Sequence, residues 1–140
     1  MTFEDAMASL GDELGLPLEI EDGKAGFVAS FDDDGEEPVS VEISDEGDEG
    51  YAVVSAELGK LPSDDIEAFA TRMLEANHLF AGTGGAALAV DGDRVLLERR
   101  VRIDALARGE GANVMYPFVD SALAWRRNLL GGVTFSSPAV

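Results

Sequence analysis

The sequence predicts an α+β domain: a twisted antiparallel sheet with three helices. Three observations carry this reading. Apolar residues recur at helical spacing in three separated stretches, around Met7, Met73 and Phe118. Between them lie segments that alternate apolar and polar residues, several joined by tight turns such as Asp22-Gly23 and Asp91-Gly92-Asp93. The helices are set apart from the hairpins instead of alternating with single strands, which excludes a parallel βαβ sheet. With 140 residues and 46% hydrophobic content, the chain is long enough to bury one core.

Phe3, Met7, Leu10 and Leu14 form a narrow stripe with Glu4, Asp5, Asp12 and Glu13 outside it, so the first helix begins here. Thr2 is its N-cap, Asp5 stands at the reciprocal position of a capping box, Gly15 ends the helix and Pro17 blocks its return. Leu18 and Ile20 lead into the Asp22-Gly23 turn. Phe27, Ala29 and Phe31 alternate with Val28 and Ser30, and Val39, Val41 and Ile43 with Ser40, Glu42 and Ser44, giving strands with one dry and one wet face. Acidic loops follow each of these two strands, over 32–38 and 45–50. Tyr51 to Leu58 reads as a further strand.

Ser63 caps the second helix, with Asp64, Asp65 and Glu67 complementing its dipole. Ile66, Phe69, Ala70, Met73, Leu74, Asn77 and Phe80 form its broad stripe. Ala86–Val90 and Arg94–Ile103 form a hairpin whose second strand sets Val95, Leu97, Val101 and Ile103 on one face and Glu98, Arg100 and Arg102 on the other. Gly109-Glu110-Gly111 breaks the chain before a final amphipathic helix through Val114, Met115, Phe118, Val119, Ala122, Leu123, Arg126, Leu129 and Leu130, with Trp125 near one margin and Pro117 in the first turn. Gly131-Gly132 stops it. Residues 1–132 read as one domain and 133–140 as a loose tail.

Charge is the second strong feature. The formal net charge is −18, and 21 of the 28 acidic residues lie in 1–71 beside only two basic ones, Lys24 and Lys60. Such a chain repels nucleic acid and anionic lipid and favours basic or polar unfolded partners. Solubility or adaptation to salt is an equal reading of the same charge. There is no cysteine, hence no disulfide framework and no thiolate chemistry. No apolar run reaches the ~20 residues needed to span a bilayer, and the N-terminus lacks the basic and apolar regions of a secretory signal, so a cytoplasmic protein is expected.

No catalytic set is visible. The cluster Gly82-Thr83-Gly84-Gly85 invites a phosphate-loop reading, but it follows a helix C-terminus, where carbonyls and not N–H groups are unpaired, and it lacks Gly-Lys-Ser/Thr. Aligning Gly50 with the sixth position of a calcium loop puts Ala56 where a bidentate Glu is required. Neither a cofactor nor a metal is expected. His78, the one histidine, has no visible nucleophile or carboxylate partner, and capping or interface packing is its default role. Strand alternation splits Arg99 from Arg100 and Arg102, which argues for local ion pairs over a nucleic-acid patch.

The stretch Ala76-Asn77-His78-Leu79-Phe80-Ala81-Gly82-Thr83-Gly84-Gly85-Ala86-Ala87-Leu88 resembles the type III secretion chaperone family, the Tir-chaperone-like class I effector chaperones. Leu14-Gly15-Leu16, Leu58-Gly59-Lys60-Leu61-Pro62 and Ala124-Trp125-Arg126 add weaker similarity, so that the likeness spans essentially the whole chain. The resemblance implies a non-catalytic homodimer that holds the N-terminal segment of a secreted effector extended and secretion-competent. It also implies that the first helix and adjoining sheet offer apolar patches to the effector, with Leu10, Leu14, Phe27, Ala29 and Phe31, or their opposite-face neighbours, as candidates. For the dimer, the broad second-helix stripe and the small-residue strand after it give Ile66, Phe69, Ala70, Met73, Asn77, Phe80, Ala86 and Leu88. A regulatory or sensory adaptor of the same fold, outside a secretion system, and a small metal-dependent hydrolase are the alternatives.

Overall fold

Helix α1 (Phe3–Leu14) starts and stops where its sequence signals stand. Thr2 Oγ1 accepts the Asp5 N–H and the Asp5 carboxylate accepts the Thr2 N–H, which closes the capping box. Gly15 ends the helix in the left-handed region. The fold is a computed structural model that describes residues 2–29, 38–47, 50–64, 66–78 and 85–130, with side chains to 127.

Six strands follow: β1 (Ile20–Glu21), β2 (Lys24–Ala29), β3 (Val39–Asp45), β4 (Tyr51–Lys60), β5 (Ala87–Asp91) and β6 (Arg94–Arg102). They form one antiparallel sheet in the order β1-β2-β3-β4-β6-β5, with helix α2 (Ile66–Asn77) between β4 and β5. Register aligns the apolar sets. Ala25, Phe27 and Ala29 stand opposite Ile43, Val41 and Val39, and Val41 and Ile43 opposite Ala56 and Val54. Ala52 and Ala56 meet Val101 and Leu97, and Leu97 in turn meets Leu88. This inner face forms one core with Phe3, Met7 and Leu10 of α1, Phe69 and Met73 of α2, and Met115, Phe118 and Trp125 of the last helix. The outer face carries Ser40, Glu42, Glu57, Arg100 and Arg102, all exposed, as the alternation predicts.

The C-terminal third differs from the sequence expectation. The last strand ends at Arg102, and Ile103–Ala105 begins a short helix, α3, followed by a π-helical turn over Leu106–Glu110 that Arg108 and Gly109 break with non-helical backbone. The final helix, α4, runs Gly111–Leu130, so Pro117 lies inside it and not in its first turn. The earlier start has a long-range cause. The Glu13 carboxylate of α1 accepts the N–H groups of Gly111 at 3.2 Å and Ala112 at 3.2 Å, a cap supplied from the other end of the chain. Pro117 then removes one internal hydrogen bond from the second turn of the helix. The predicted end of α2 at Phe80, the glycines Gly82 and Gly84 and the tail 133–140 lie outside the described residues.

The end of α2 is tied to the edge strand. Asn77 donates from Nδ2 to the Leu88 carbonyl at 2.9 Å and accepts the Leu88 N–H on Oδ1 at 2.7 Å. Leu88 therefore turns its backbone away from β6, and an amide side chain occupies the edge at that point. Replacing Asn77 by Ala strands both groups in a half-buried position. It is expected to lower the unfolding free energy by about 1–3 kcal/mol, read as a lower urea midpoint at an unchanged m-value.

Candidate partner-binding groove

Two glycines bring the walls of a groove together. At Gly11 a Cβ would stand 2.6 Å from the Leu16 carbonyl oxygen, so only glycine lets the chain fold back over the end of α1. The Leu16 N–H closes that turn on the Gly11 carbonyl at 2.9 Å. At Gly111 a Cβ would stand 2.5 Å from Leu10 Cδ1 and 3.3 Å from Glu13 Oε1, so α4 approaches α1 backbone to side chain. The result is an apolar groove of about 640 Å³ lined by Leu14 at the end of α1 and Leu16 beyond it, Phe27, Val28 and Ala29 of β2, and Met115, Tyr116, Val119, Asp120 and Leu123 of α4. Three large apolar side chains on its rim remain exposed: Leu16 at 39%, Val28 at 62% and Tyr116 at 60%.

The groove runs beside a sheet edge that, among the described residues, is unpaired. β1 covers only Lys24 and Ala25 of β2, through the two-residue Asp22-Gly23 turn. In such a hairpin the closing pair, Glu21 and Lys24, is hydrogen-bonded, and the direction of the backbone groups then alternates. Ala25, Phe27 and Ala29 turn toward β3, while Gly26 and Val28 turn toward the open edge. On the outer side of the same strand, Glu19, Glu21, Asp22, Lys24 and Glu42 border a second hollow of about 560 Å³.

Of the residues the sequence nominated for a partner, Leu14, Phe27 and Ala29 line the groove. Leu10 is fully buried in the core, and Phe31 lies outside the described residues. The α4 wall and Leu16 were not nominated. Their signal was the width of the final apolar stripe: Met115, Phe118 and Ala122 fill the core side, which leaves Tyr116 and Val119 at a margin.

A second apolar patch lies at the opposite edge. Ile66 is 46% exposed, Leu74 71% and Val90 of β5 47%, with Ala70 exposed between the first two on α2. Among the other residues nominated for a dimer, Phe69, Met73, Ala86 and Leu88 are buried within the chain's own core and Asn77 is half-buried against β5, while Phe80 lies outside the described residues. His78 is exposed at the end of α2.

Arg94, Arg100 and Arg102 of β6 make local pairs on the outer face. Arg100 meets Glu46 at 2.7 Å and lies 3.9 Å from the centre of the Tyr51 ring, and Arg102 meets Asp104 at 3.3 Å. Arg94 bridges Glu57 at 3.0 Å and Asp91 at 2.9 Å. Hydrogen bonds, Glu57's first, hold its guanidinium above the ordinary range. Exposed pairs of this kind add little stability.

An apolar groove beside an open sheet edge is the arrangement of domains that take up an extended chain. Residues 5–126 match the model of the Tir chaperone protein (CesT) family, and the chain belongs to that family. Similar solved structures include a chain of the HopA1-SchA chaperone-effector complex, 13% identical with a TM-score of 0.64 over 93% of this chain and 94% of that one. A chain of the Yersinia pestis type III secretion chaperone SycH in complex with a stable fragment of YscM2 is 22% identical with a TM-score of 0.61 over 86% of this chain and 97% of that one. A chain of the ExsC-ExsE complex is 16% identical with a TM-score of 0.63 over 89% and 90%. At these identities what is shared is the fold. No curated protein matches the chain in sequence.

The contact of α1 with α4 sets the width of the groove. Replacing Glu13 by Ala removes the acceptor for two helix N–H groups and is expected to cost about 1–2 kcal/mol, measured by thermal and urea unfolding. Gly11→Ala is expected to be at least as damaging, because the clash is with backbone.

Proposed function

We propose that the protein is a cytoplasmic chaperone for a type III secreted effector. It works as a homodimer that binds the effector's N-terminal segment and keeps it extended and secretion-competent. It performs no catalysis. The observation that carries this reading is the open β2 edge at Gly26 and Val28 beside a groove rimmed by Leu16, Val28 and Tyr116. A strand added at that edge gains main-chain hydrogen bonds, and its alternate side chains enter the groove as anchors. Membership of the Tir chaperone protein family and the chaperone complexes of similar fold support it.

The second copy is assigned to the other edge. Ile66, Ala70 and Leu74 lie at intervals of one helical turn on the exposed side of α2, and a two-fold axis there buries each line against its twin. Leu74→Glu is expected to convert the dimer to a monomer in sedimentation equilibrium while leaving the far-UV circular dichroism unchanged. A wild-type chain that is monomeric at micromolar concentration overturns the dimer.

For the partner, the neighbouring open reading frames supply the candidates. Co-expression with an effector's N-terminal segment is expected to yield a stable complex. Tyr116→Ala combined with Val119→Asp is expected to weaken it at least about tenfold, the usual loss on truncating a central aromatic anchor. Failure of any secreted protein's N-terminal segment to co-purify overturns the function.

A further inference from the structure

The open edge of β2 has two differently built sides, and together they specify the chemistry of the strand that fits it. On the inner side, the groove presents Leu14, Leu16, Met115, Tyr116 and Val119, with only Asp120 charged in its lining. On the outer side, the hollow presents the carboxylates of Glu19, Glu21, Asp22 and Glu42 against the single ammonium of Lys24. All of these charged groups are exposed, and Lys24 is engaged with Glu42 at 3.6 Å. The two hollows share Phe27 and Val28, so they are the two flanks of one strand and not separate sites.

A strand that pairs with Gly26 and Val28 sends successive side chains to opposite faces. One set enters the apolar groove, and the other comes to lie over Glu19, Glu21 and Glu42. We propose that the occupant of this edge is an extended protein segment that alternates apolar residues with lysine or arginine. The apolar set supplies the anchors and the basic set sets the register. A slip of one residue would place ammonium groups against Tyr116 and Met115 and apolar groups over the carboxylates. Glu19, Glu21 and Glu42 are then specificity-determining residues. Part of the acidity of the N-terminal half thereby acquires a local role, beyond solubility, at this strand edge. This inference rests on the proposed strand addition and adds to it the composition of the strand.

Calorimetric titration of the full chain with two short synthetic peptides tests it: one alternates Val and Lys, and the other carries Gln at every Lys position. The Val/Lys peptide is expected to bind about tenfold more tightly at low salt, the sum expected of a few exposed ion pairs. The preference should shrink in 0.5 M salt. The combined variant Glu19→Gln, Glu21→Gln, Glu42→Gln is expected to abolish it, and Tyr116→Ala to weaken both peptides alike. Equal binding of the two peptides, both weakened by Tyr116→Ala, overturns the basic pattern and leaves the strand-addition reading standing. A preference that survives in the triple variant overturns the assignment to these carboxylates. Binding of neither peptide to the unaltered chain overturns the strand addition, and the inference with it.

Discussion

The structure depends on the clasp between the end of α1 and the start of α4. A broken π-helical turn leads directly into the last helix. Two of its first N–H groups are met by the carboxylate of Glu13, nearly a hundred residues earlier, and a negative charge at a helix N-terminus is favourable. The carboxylate can reach only because Gly111 carries no side chain between α4 and Leu10. Once joined, α1 and α4 cover the inner face of the sheet as a unit, and the line where they meet β2 becomes the groove. Hydrogen bonding, close packing and the groove are thus one geometric solution.

The two edges of the sheet are treated differently. At β5 the Asn77 amide occupies the position a partner strand would take at Leu88. At β2 the short β1 leaves Gly26 and Val28 uncovered. Open edges invite unwanted pairing, and charged residues around them are a common defence. The acidic groups beside β2 repel copies of this acidic chain, and in the proposed complex they would also attract a basic segment. Among the described residues, the exposed large apolar side chains divide in the same way, with Leu16, Val28 and Tyr116 at one edge and Ile66, Leu74 and Val90 at the other. The proposed partner binding and the proposed dimer would each use one of these patches.

Much of the fold is legible in local sequence. The Thr2 and Asp5 capping box, the Asp22-Gly23 turn and the alternation through Val39, Val41 and Ile43 all depend on residues a few positions apart, and each stands as the signals indicate. The C-terminal third was harder to read because its determinants are distant. Pro117 looked like the first turn of a helix that in fact starts at Gly111, since the cap that permits the earlier start comes from Glu13. Apolar periodicity also did not separate buried from open positions. Leu10 and Leu14 share one stripe, yet Leu10 is sealed beneath Gly111 while Leu14 reaches the groove.

By itself, then, the sequence determined the α+β class, the order of helices and hairpins, the division into an acidic half and an arginine-bearing half, and the likeness to a family of secretion chaperones. These follow from short-range periodicity, turn chemistry and composition, which need no knowledge of what lies across the fold. Among the described residues, tertiary structure alone decided which apolar side chains remain in water, which sheet edge stays unpaired, and that carboxylates and an apolar groove flank the same strand. Those properties arise from contacts between residues tens of positions apart, and no local pattern encodes them.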